Sequence, residues 1–89
     1  MDVKEAVDLA KQTVADLFAK EGVVNLGLEE VVFDDVQKMW QITVGFSRAW
    51  DQQGALAFVG NVRRTYKIVT IDPEGKAVSI KNRETANAE

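Results

Sequence analysis

A chain of 89 residues, 46% hydrophobic and 28% charged, is long enough for one hydrophobic core and too apolar to be disordered. It contains no Cys and no His, which excludes disulfides, thiolate nucleophiles and imidazole bases or ligands. Its formal net charge of −3 argues against a general affinity for nucleic acid or anionic membrane.

The N-terminal third reads as a helix from Asp2 to about Lys20. Val3, Val7, Ala10, Val14 and Leu17 recur at alternating spacings of four and three, while Lys4, Glu5, Asp8, Lys11, Gln12 and Asp16 fall mainly on the other side. Asp2 followed by Glu5 has the form of a capping box, and Gly22 stands where a left-handed residue closes the last turn. A single apolar stripe on a helix of this length needs a flat surface to lie on. No apolar run near Met1 has the length of a signal peptide or membrane span, so a cytoplasmic location is expected.

Val23 to Gly27 reads as a connector, Leu28 to Phe33 as a first strand and Asp34 to Lys38 as a polar turn. The clearest alternation follows. Trp40, Ile42, Val44 and Phe46 share one face, and Gln41, Thr43, Gly45 and Ser47 the other, as in a strand with one side in the core and one side wet. Arg48 to Asn61 is ambiguous: Trp50-Asp51-Gln52-Gln53-Gly54 reads as a loop, while Ala55 to Val59 is apolar enough to extend the next strand. Val62 to Asp72 and Lys76 to Lys81 form a hairpin, with Pro73 at the second position of a type I turn and Gly75 supplying positive φ. The third strand's pattern leaves open whether Tyr66 and Ile68, or Val69 and Ile71, face inward.

The expected architecture is α+β: one N-terminal helix packed on a four-stranded antiparallel meander, a single domain over 1–82 with a frayed tail over 83–89. Val7, Ala10, Val14, Leu17, Trp40, Ile42, Val44 and Phe46 are its expected core.

Chemistry-bearing residues are few. Glu29-Glu30 and Asp34-Asp35 flank one strand, but neighbours in a strand point to opposite faces and no calcium-loop spacing is present, so solvated turn charges are the better reading. Asp51 and Asp72 lie in or beside loops as candidate carboxylates for a small enzyme, without a partner in view. No glycine opens a phosphate-binding helix, and no metal or organic cofactor is expected. The segment Met39 to Ile71 carries Arg48, Arg63, Arg64 and Lys67 against Asp51, a local charge of +3, interleaved with Trp40, Trp50, Phe58 and Tyr66. A nucleic-acid module using Arg48, Arg63 and Arg64 with Trp50 is therefore an alternative. The leading reading is a small non-catalytic interaction module binding a protein partner or a second copy of itself. Its expected contact residues are Trp50 and Phe58 as anchors, with Leu56, Arg48, Arg63 and Arg64 around them.

The run Tyr66-Lys67-Ile68-Val69-Thr70-Ile71-Asp72 with Gly75 and Val78, preceded by Trp40-Gln41-Ile42-Thr43-Val44, resembles the ending of peptidase-propeptide-like (PepSY) domains. The resemblance implies a helix followed by an antiparallel sheet and a non-catalytic, interacting or inhibitory module, often outside the cytoplasm. The Arg48–Asn61 excursion departs from that pattern. The helix-then-Trp-strand plan is also similar to the gas vesicle protein O family, whose basic, Tyr-rich ending this chain lacks.

Overall fold

The computed structural model describes residues 1–48 and 64–83. Helix α1 spans Val3–Leu17 and starts on the expected capping box: the Glu5 amide donates to the Asp2 carboxylate at 2.8 Å, and the Asp2 amide donates to the Glu5 side chain at 3.0 Å. A single 3₁₀ turn, Ala19–Glu21, follows and closes on Gly22 in the left-handed conformation (φ 70°, ψ 57°), where a Cβ would be strained.

Strands β1 (Val23–Asp34), β2 (Met39–Arg48), β3 (Thr65–Ile71) and β4 (Ala77–Asn82) form a four-stranded antiparallel sheet in sequence order, with α1 on one face. The fold is the α+β helix-on-meander that the hydrophobic pattern implies. Val23 to Gly27, expected as a connector, instead belongs to β1. Asn25 takes positive φ (56°) and the register against β2 slips between Val24 and Gly27, so an irregular, bulged strand looks like a loop in the sequence.

The β1–β2 and β3–β4 turns are each fastened by an aspartate at their start. Asp34 Oδ1 accepts from the amides of Val36 (2.9 Å) and Gln37 (3.2 Å). Asp72 Oδ1 accepts from those of Glu74 (3.0 Å) and Lys76 (2.9 Å). These side chains satisfy turn amides that the ladder cannot reach. The Gly75 amide returns to the Asp72 carbonyl at 2.9 Å, and Gly75 has φ 85°, as the Pro-x-Gly pattern requires.

The core lies between α1 and the sheet: Ala6, Ala10 and Val14 of the helix against Ile42, Val44 and Phe46 of β2 and Val69 and Ile71 of β3. Three small residues spaced by four let the helix lie close to the strands. Pairing of Ile42 with Val69 and of Trp40 with Ile71 sets Val69 and Ile71 on the helix side, leaving Tyr66 and Ile68 on the other face. Val7 and Trp40 are half-buried at the rim of this core, Trp40 packing against Phe33 with ring centroids 4.8 Å apart.

Leu17 is not core; it is 65% exposed. The chain leaves helical geometry at the next residue, Phe18 (φ −109°, ψ 19°), whose ring packs 5.5 Å from Phe46. One large side chain fills that end of the interface, and it is Phe18. The wet face expected for β2 also needs correction: Gln41 is exposed, but Thr43, Gly45 and Ser47 are buried. Gly45 lies beneath a group formed by Glu29, Arg64 and Tyr66, which reach over the central strand from both sides.

Candidate functional site

Of the contact residues expected from sequence, Trp50, Leu56, Phe58 and Arg63 lie outside the described residues, as does Asp51. The two described members, Arg48 and Arg64, stand on opposite faces of the sheet. Arg48 follows Phe46 on the helix side, its guanidinium 5.3 Å from the Phe46 ring centroid and 6.0 Å from that of Phe18. It donates through Nε to the Glu21 carboxylate and through Nη1 to Thr65 Oγ1 at 2.8 Å. Lys67 joins this end of the core, with Nζ 5.2 Å from the Phe18 centroid and bonded to Asn82 Oδ1. The two cationic heads lie over the aromatic pair while bonding to polar partners, at the end of the core below the last turn of α1.

Arg64 works on the other face. It crosses β2 at Gly45 to reach β1, donating through Nη1 to the Asn25 carbonyl (3.0 Å) and through Nη2 to Glu29 Oε2 (3.2 Å). A Cβ at residue 45 would stand 2.7 Å from Glu29 Oε2 and 2.8 Å from Arg64 Nη2, so the missing side chain is what lets the guanidinium pass. The Asn25 carbonyl is left at an irregular part of β1, and Arg64 satisfies it from two strands away. Arg48 and Arg64 therefore do not build one basic face.

The acidic pairs are dispersed in the same way. Glu29 holds Arg64, Asp34 fastens its turn and Asp35 pairs with Lys38 at 3.0 Å. Among the described residues no group of three or more acidic side chains converges. Asp72 accepts the amides of its own turn. No helix among these residues is long and apolar enough to cross a membrane.

The surface that gathers unexplained apolar side chains is the β1 side of the molecule. Leu28, Val32 and Phe33 are 44%, 43% and 43% exposed, and Val36, at the tip of the β1–β2 turn, is 90% exposed. Among the described residues β1 is a sheet edge, so alternate N–H and C=O groups along it point away from β2. Beside it, between the first turns of α1 and the strand, runs an open apolar groove of about 300 Å³ lined by Val3, Lys4, Val7, Asp8 and Leu28. Two register shifts, between Val24 and Gly27 and between Leu28 and Glu30, confine the regular part of the edge to Glu30–Asp34.

The Arg48–Asn61 excursion, where the sequence places contact, lies outside the described residues apart from Arg48. For the β1 margin, Val31-Val32-Phe33, continuous rather than alternating, was the available signal: on a strand with a single covered face, such a run must expose part of itself.

Compared with family models, with curated proteins and with solved structures, the chain has no match.

Proposed function

We propose that the chain is a small non-catalytic protein-interaction module that engages another polypeptide along β1. The observation that carries the reading is the coincidence, on one side of the domain, of a strand edge that no described residue pairs with and the exposed side chains of Leu28, Val32 and Phe33. Backbone groups on such an edge supply directional bonds, and the apolar side chains around them supply area that leaves water on contact. The resemblance to PepSY domains points the same way. A cytoplasmic location forms part of the proposal, on the strength of the Cys-free composition.

A photo-reactive phenylalanine analogue placed at Val32, and separately at Val78 on the opposite edge, tests the reading in extracts of the native host. Adducts of discrete mass are expected from position 32 and not from position 78. Equal labelling from both positions, or none from position 32, contradicts the proposal. An adduct of twice the chain's own mass identifies the partner as a second copy.

A further inference from the structure

The β1 edge has two unlike sides, and together they define what fits beside it. On the helix side, Leu28 pairs with Val44 and Phe33 with Trp40, and the groove continues this apolar surface to Val3 and Val7. On the outer side, Glu30 pairs with Thr43, and the register shift between Leu28 and Glu30 turns Glu29 outward as well, onto Arg64. Val32 and Asp34 follow Glu30 on that face by strand alternation. Of the acids in this hairpin and its turn, Glu29 is matched by Arg64 and Asp35 by Lys38, which leaves the charges of Glu30 and Asp34 on the outer face.

We propose that the occupant of this edge is an extended peptide segment that pairs as an additional strand with Glu30–Asp34. Its apolar side chains enter the groove between α1 and β1, and its alternate, basic side chains lie along Glu30 on the outer face. The strand period of two is what sends the two chemistries to opposite sides. A groove between a helix and a strand edge serves this mode well: the edge holds the peptide backbone, and the groove selects its side chains. A second copy of β1 is disfavoured at the same place, because antiparallel self-pairing brings the Glu30 carboxylates and their acidic neighbours to face their own kind across the new ladder. This inference rests on the interaction-module reading and adds the mode and the chemistry of the partner.

The test uses the whole chain and three synthetic peptides, each acetylated and amidated. The first is Thr-Lys-Val-Lys-Leu-Lys-Thr. The second replaces each Lys with Glu. The third keeps the first sequence but carries N-methyl groups on the amides that would pair with β1. Titration is followed through the protein's backbone amide resonances. Saturable binding of the first peptide is expected, with shifts at Glu30–Asp34 and around Val3 and Val7. The N-methylated peptide should bind about tenfold more weakly or worse, since it loses several ladder bonds. The Glu peptide should not bind. Glu30→Lys should weaken the first peptide, and so should Leu28→Ser, which alters an exposed residue and leaves the core intact.

Equal binding of the N-methylated peptide reduces the effect to charge attraction and overturns the strand-pairing mode. Absence of binding overturns it too, as does a concentration-dependent dimer of the free chain that protects the same amides. Adducts at Val32 without peptide binding leave the interaction reading standing and remove only this mode. Absence of both removes the two together.

Discussion

The two edges of the sheet are built to different rules. β4 is short, Ala77–Asn82, slips register against β3 between Thr70 and Ile71, and is bracketed by Lys76 and Lys81 with Arg83 just beyond. Of its side chains only Val78 is a strongly exposed large hydrophobe. Short length, a register slip and lysines are the means by which strand edges avoid pairing with other chains. β1 is twice as long at 12 residues; two register shifts confine its regular stretch to Glu30–Asp34, which carries exposed Val32 and Phe33. Both margins carry register slips; what separates them among the described residues is length and side chains, lysines along β4 and exposed Val32 and Phe33 along β1.

The comparison is broken most severely by removing what the edges share. Phe46 is fully buried under Phe18 and α1, and Phe46→Ala should cost about 3–5 kcal/mol by chemical denaturation. Amide exchange should then accelerate along both edges together. Fast exchange at one edge alone contradicts a common core.

Gly75→Ala acts on the β4 edge. With φ at 85°, an alanine there should cost about 1–2 kcal/mol. Exchange protection should fall in Ala77–Asn82 before it falls in β1. Gly45→Ala acts on the β1 edge instead. The new Cβ displaces the flexible ends of Glu29 and Arg64 and presses on the Tyr66 ring at 3.0 Å, so the ion pair opens and the ring must shift, at a cost of about 1–2 kcal/mol. The expected signature is faster exchange around Asn25 and Glu29, with β4 unchanged.

Smallest of all is Leu17→Ala. The apolar stripe of α1 includes Leu17, yet its exposure predicts a change within about 0.5 kcal/mol. A cost near that of Phe46→Ala would mean that the helix seats differently on the sheet.

Leu17 also marks where the sequence stops being a sufficient guide. Features set by a few adjacent residues were legible: the Asp2–Glu5 box, Gly22 at the helix end, and the Pro73–Gly75 turn, each decided by local dihedrals and nearby hydrogen bonds. The alternation of Trp40 to Phe46 likewise gave the inward face of β2. Which residue ends the helix interface depends on how Phe18 turns onto Phe46, 28 positions on in the chain. Arg64 reads as a free surface cation until its two bonds to β1, across Gly45, are seen. The meander order expected from the sequence already puts β1 at an edge; what the sequence does not record is that Leu28, Val32 and Phe33 stay exposed there, because that depends on how far α1 covers the strand.

The most direct test of unequal edges is the distribution of amide shifts when the alternating Lys peptide is titrated into the whole chain. The account predicts saturable shifts along Glu30–Asp34, reaching Val3 and Val7 across the groove, with Ala77–Asn82 unmoved. Shifts of comparable size along β4, or shifts that follow the acidic side chains irrespective of edge, would contradict it.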